Sequence, residues 1–287
     1  MKVAEIDREL DLAKSRGPLN DMVIQPCPGP LAELRVEVNK ADPDPAKIAR
    51  IAGSDVAMAA SLIRVANSPM YARARPASTV AEAVAMLGVA QSVAVLTGFL
   101  LRKAIRVNSP LLEHFWETSS HRATAMGFIA RQMYGVNADI AHTVGLFVHV
   151  GIPVMLHGLK GYATTLTKAM AQEDRSFIET ENAAHLTDHA VVGAIVAKTW
   201  HLPPIISIAV RLHHDFTILN DVSIPVEART LVAMTLVAEH LVAVHEGVKE
   251  QRSWELNGPA CLEFLKIDPG EVDIWSETLE PLFESAA

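Results

Sequence analysis

The residues best suited to chemistry are histidines in three stretches: Gly145-Leu146-Phe147-Val148-His149-Val150-Gly151, the pair Asp188-His189, and His213-His214-Asp215. A neutral imidazole ligates a metal through one lone pair, and three protein ligands plus water make a catalytic zinc site. The bland alternative is a set of core or surface histidines, since lone histidines on helices are more often that than ligands. His142 and His149 are seven residues apart and so share one helix face, where a half-buried hydrogen-bonded pair explains them as well as metal does. Arg102, Lys103 and Arg106 could meet a phosphate, but their place at a helix C-terminus favours a simple interaction with the helix dipole. No Gly-rich phosphate loop and no Ser or Cys nucleophile motif is present.

These histidines need helices to hold them. Half of the chain is hydrophobic but only 5% is aromatic, with Ala, Val and Leu dominant, which favours helices packed on helices and predicts an all-α fold. The Pro-rich stretch from Gln25 to Pro30 leads into a first domain, with helices expected over 31–39, 46–52 and 56–66. Asn67 suits a left-handed helix end more than a ligand contact, and Pro69 prevents resumption. Thr79 with Glu82, and Ser176 with Glu179, fit capping boxes. Asn108-Ser109-Pro110 marks a boundary between two lobes, 1–108 and 109–287. Further helices are expected over 111–134, over 139–150 with Pro153 limiting its extension, and over 188–200, 204–214 and 226–244. Two short helical patterns are expected between Pro259 and Phe283.

The net charge of −8 and pI of about 5.8 give a field that repels phosphates and anionic lipid, so neither nucleic acid nor a membrane is expected as a partner. Cys27 and Cys261 lie far apart and outside any metal-ligand spacing, which fits a reducing cytoplasm. Residues 1–16 lack the apolar run of a secretory signal. Residues 80–101 carry one formal charge, Glu82, and are long enough to span a bilayer; their internal Gln91, Ser92 and Thr97 favour two buried helices meeting near Gly88.

Leu62-Ile63-Arg64-Val65-Ala66-Asn67-Ser68, Ser78 through Gly88, Phe115-Trp116, Gly145-Leu146, Asp188-His189 with Gly193 and Trp200, Leu202-Pro203 and His213-His214 recur in one order. On these residues the chain resembles the HDOD family, a regulatory offshoot of the HD-type metal-dependent phosphohydrolases, over roughly residues 21–215. The resemblance implies a two-lobed multi-helical bundle with an HD-like second lobe. HD hydrolases hold two metals with histidines and carboxylates, including a His-Asp dyad whose aspartate bridges the ions. Laid on that pattern, Thr118 stands where the first histidine belongs, and Val148-His149 stands at the dyad. Valine ligates nothing, and one imidazole cannot bridge two cations.

The resemblance therefore implies a non-catalytic bacterial signalling module that binds a protein partner or small signalling ligand, with a homo-oligomer one form of that binding, and with no catalytic residues, no metal set and no cofactor. Its candidate cleft residues are His121, His149, His189, His213, His214 and Glu239, and His121 is the residue placed to rescue a ligand displaced at Thr118. The rival is a divergent metal-dependent phosphohydrolase built on His121, His149, His189 and His213 or His214. The Gly-Tyr-Pro signature of cyclic-di-GMP phosphodiesterases is absent, Gly161-Tyr162-Ala163 falling short of it. His189 and His213 are expected in one inter-helical cleft, with hydrogen-bond partners from other helices.

Overall fold

A computed structural model describes residues 3–15, 19–20, 22–68, 71, 75–171, 176–248 and 251–286. The described residues are helical, with no strand among them. The chain divides into two compact units, one formed by Met1–Gln25 with Val107–Glu277 and the other by Pro26–Arg106 with Thr278–Ala287. The expected division at 108 differs from this at both chain ends.

The helices are α1 (Val3–Ser15), α2 (Gly29–Val38), α3 (Pro45–Gly53), α4 (Val56–Ala66), α5 (Val80–Leu87), α6 (Val89–Ala104), α7 (Phe115–Gln132) and α8 (Ala138–Phe147). They continue with α9 (Gly151–Gly158), α10 (Tyr162–Ala171), α11 (Phe177–His185), α12 (His189–Thr199), α13 (Pro204–Leu212), α14 (Val226–His245), α15 (Arg252–Leu265) and α16 (Pro269–Ala286). The first helix packs on α12 and α13 because its apolar stripe, Ile6 and Leu10, is fully buried there, and its charged face is tied down by Lys198 to Asp7 and Asp11 and by Arg211 to Glu9. That is why it leaves the N-terminal lobe.

In the smaller unit, α2 to α6 pack on one another. The apolar run from Val80 breaks at Gly88 (φ 80°), where α5 and α6 bend by 116°. Both capping boxes form, at Thr79 and at Ser176. Asn67 differs from expectation: its φ is −94°, and its side-chain amide instead exchanges two hydrogen bonds with the backbone of Ala77, at 2.7 and 2.9 Å.

In the larger unit, α12 is the central helix. His189 through Ala197 are all buried, and neighbours α1, α8, α9, α11 and α13 surround it, so its sequence is apolar on every side. Trp200 and Phe147 meet edge-to-face at 5.8 Å beside it. Pro153 does not end a helix as expected. It sits in the first turn of α9, where its missing N–H has no intrahelical partner to lose. The stretch Ala138–Gly158 is long and apolar enough to cross a membrane, but 61% of its most apolar window is buried inside the fold, as for a core segment. The C-terminal pair runs longer than expected, α15 carrying Pro259 within it on an exposed face.

Candidate metal centre

His149 lies in the turn Val148–Val150, between α8 and α9. Gly151 then brings α9 against α12: a Cβ there would lie 2.0 Å from the His189 carbonyl oxygen and 2.9 Å from the Gly193 nitrogen. Only a residue without a side chain allows that approach, and it sets His149 beside His189. Gly145 does the same between α8 and α7, where a Cβ would lie 2.6 Å from the Ala123 Cα. Asp188 caps α12 through the Val191 N–H, so His189 opens that helix, while His213 and His214 follow the end of α13.

Four imidazoles converge as a result. His189 Nε2 lies 3.2 Å from His149 Nδ1, 3.3 Å from His213 Nε2 and 3.0 Å from His214 Nε2. One ligand atom from each of the four lies within 4.8 Å of all the others. The opposite nitrogens are engaged: His189 Nδ1 with Glu181 Oε2 at 2.7 Å, His213 Nδ1 with the Val210 carbonyl at 2.7 Å, and His149 Nε2 with Glu239 Oε1 at 2.7 Å. A neutral imidazole has one N–H, and a carboxylate or carbonyl can only accept. Those three histidines therefore point lone pairs, not protons, at one another.

Protonation would relieve such repulsion only if the rings were basic, and burial pushes His149, His213 and His214 the other way. Burial is the chief cause that holds His149 and His213 well below the ordinary histidine value, with Arg122 adding to it at His149 and the neighbouring imidazoles opposing a second proton at both, and His214 is lowered to about 3. Converging lone pairs, each with a hydrogen-bond acceptor on the opposite ring nitrogen, are the arrangement of metal-ligating histidines. The three separations from His189 Nε2, 3.0 to 3.3 Å, approach the tetrahedral edge of roughly 3.3–3.4 Å implied by zinc–nitrogen bonds of about 2.0–2.1 Å, and the remaining ones stay within 4.8 Å. The four ring nitrogens are placed so that they could hold a divalent ion, one ligand atom each.

The other candidates separate. Glu239 stands behind His149 as a hydrogen-bond acceptor. His121 is not brought to the cluster: it is buried at an edge-on contact with His245, ring centroids 5.3 Å apart. Its helix instead directs the next residue, Arg122, toward the site, 3.6 Å from Glu239 and 3.4 Å from the Gly145 carbonyl. Thr118 donates to Glu246, Val148 is core, and Asp188 and Asp215 cap their own helices rather than pair with the histidines. Linear reading missed Arg122, Glu181 and Tyr162, whose hydroxyl donates to the other Glu181 oxygen. No spacing relates these residues to the histidines, because each comes from a different helix.

The HDOD domain pattern matches residues 24–216. The chain belongs to the HDOD family. Its histidine cluster thus lies within the family's domain, and His121, inside the matched region, stays apart from it. Among solved structures, the HDOD chain is similar to an HDOD domain protein of unknown function from Geobacter sulfurreducens, at TM-score 0.74 and 21% identity, covering 98% of this chain and 99% of that one. It is also similar to a protein from Marinobacter aquaeolei VT8 provisionally named a signal transduction protein (TM-score 0.73, 19% identity, 99% of this chain and 64% of that one). A third is a protein from Shewanella amazonensis SB2B provisionally named a metal-dependent phosphohydrolase (TM-score 0.65, 19% identity, 99% and 100%). At these identities the likeness is one of fold. An uncharacterized protein of Treponema pallidum is 20% identical over 268 residues, which is 91% of this chain and 50% of that protein, so the HDOD chain spans half the length of that relative.

His142 remains on α8, its Cβ side against the position of Gly127, with Nδ1 buried and unbonded. Burial, then Arg131, lowers its pKa to about 4. Between the ordinary histidine value and about 4 the unfolded chain binds more protons, so this ring's contribution is intact above the ordinary value and is lost as the pH falls through about 4. The ring is partly exposed, which softens the effect to about 2 kcal/mol. Urea unfolding at pH 7 and pH 4.5, in chelator, should show the stability of His142→Gln falling less than that of wild type by about that amount. Equal falls in both proteins would refute the assignment.

Proposed function

We propose that this HDOD protein is a regulatory, non-catalytic signalling module whose larger unit holds one divalent metal ion, zinc by preference, on His149, His189, His213 and His214. The observation that carries the reading is the convergence of lone pairs fixed from behind by Glu181, Val210 and Glu239. Four protein ligands make a closed site, the pattern of structural zinc, whereas catalytic zinc keeps a position for water. A bound ion there supplies fixed positive charge and a cross-link among the segments carrying the four histidines. The bridging carboxylate that two-metal hydrolysis needs is replaced by Val148-His149.

Its place of action on this reading is the bacterial cytoplasm, its output the binding of a protein partner or a small signalling ligand, with self-association one form this takes. The acidic net charge disfavours nucleic acid, and the Marinobacter relative's name, a signal transduction protein, supports a signalling output. The test is hydrolysis of bis-p-nitrophenyl phosphate and of nucleotides with added manganese or zinc. The expected rate is that of His189→Ala, namely background. Metal-dependent turnover that His189→Ala and His213→Ala abolish would establish the hydrolase instead.

A further inference from the structure

Glu181 grips His189 twice, accepting its backbone N–H at 3.1 Å and its ring Nδ1–H at 2.7 Å through one oxygen, while the other oxygen accepts the Tyr162 hydroxyl. The carboxylate is fully buried, and its three donors are neutral. A buried anion needs a compensating charge, and the place for one is across the imidazole, at the Nε2 side where the lone pairs of His149, His189 and His213 converge. Tyr162 opens α10, Glu181 lies on α11 and His189 opens α12, so a single hydrogen-bond chain joins three helices to the centre. Two more residues of α11 reach the same end of α12. Asn182 donates to Asp188 at 2.7 Å, and Phe177 meets the His189 ring edge-on at 5.2 Å.

We infer that Glu181, held by Tyr162, is the positioning residue of the metal centre and that it transmits metal occupancy to the α10–α11 pair. This rests on the metal reading above. Glu181 fixes the proton of His189 on Nδ1 and thereby leaves the Nε2 lone pair for the ion. Loss of the ion leaves the buried carboxylate without its counter-charge, and the two helices that supply Tyr162 and Glu181 loosen.

The test uses the full chain as wild type, Glu181→Gln and Tyr162→Phe. Cobalt(II) is titrated by its visible d–d absorption, and amide hydrogen exchange is followed over residues 162–171 and 177–185 with and without the ion. Wild type should bind cobalt and slow exchange in both helices on binding. Glu181→Gln should bind roughly 10–100-fold more weakly, and Tyr162→Phe more weakly by a smaller factor, as expected for the loss of outer-shell partners. At saturating cobalt both variants should lose the metal-dependent slowing. Tyr162→Phe keeps the test open if Glu181→Gln does not fold, because it removes one hydroxyl from a site that stays filled. Wild-type affinity and wild-type slowing in the variants would reduce Glu181 to a purely structural role and overturn the inference. Failure of wild type itself to bind cobalt would overturn the metal reading, a distinct result.

Discussion

Gly151→Ala should be among the most damaging single substitutions in the larger unit, lowering stability by about 3 kcal/mol or more, at the upper end for overpacking. The added methyl would sit 2.0 Å from the His189 carbonyl oxygen and 2.8 Å from its carbon, both backbone atoms that cannot change rotamer. Relief requires α9 to withdraw from α12, and His149, two residues upstream, would be drawn from its 3.2 Å contact with His189. Thermal unfolding should show Tm falling by about 2–4 °C for each kcal/mol lost, with metal affinity falling in parallel. A variant with wild-type Tm and wild-type metal affinity would show that the close approach of the two helices is not what assembles the centre.

The second large effect is expected at His189. His189→Ala removes the ligand at the middle of the cluster and strips the fully buried Glu181 of its ring N–H donor, leaving it the backbone N–H of residue 189 and the Tyr162 hydroxyl. Leaving a buried acceptor without one of its donors costs about 1–3 kcal/mol, and more when the acceptor is charged. The ion's own contribution is lost as well, since a ligand at 100 times its Kd stabilises the folded state by about 2.7 kcal/mol. Wild type should therefore gain several degrees in Tm on zinc addition, and His189→Ala should start lower and gain nothing. His213→Ala should likewise lose the zinc response but start nearer wild type, because its Nδ1 bonds only a carbonyl. A zinc-induced shift preserved in His189→Ala would place the ion elsewhere.

Much of this was legible in the sequence. The all-α class followed from an Ala-, Val- and Leu-rich, aromatic-poor composition, and the capping boxes at Thr79 and Ser176 fixed two helix starts through local hydrogen bonds that need no tertiary information. The order of short motifs pointed to the family. The location of α1 was not legible, because an amphipathic helix shows which face is apolar but not which neighbour covers it.

The centre shows the same limit more sharply. His149, His189, His213 and His214 stood out as residues, yet their meaning depends on which nitrogen faces inward. That is decided by Glu181, Val210 and Glu239 behind them, of which Glu239 lies 90 residues from the histidine it holds and Glu181 sits on a different helix from His189. The missing dyad aspartate argued against metal when read as a pattern, whereas four convergent imidazoles form a ligand set of a different kind. His121 was favoured by its spacing from Thr118, but α7 turns it toward His245 and turns Arg122 inward instead.

Zinc K-edge X-ray absorption on the full chain, loaded with one equivalent of zinc after purification, addresses the closed four-histidine centre itself. The expected spectrum has a first shell of about four nitrogens near 2.0–2.1 Å with imidazole outer-shell scattering and no sulfur. A first shell of five or six ligands dominated by oxygen, or failure to retain the zinc through desalting, would contradict it.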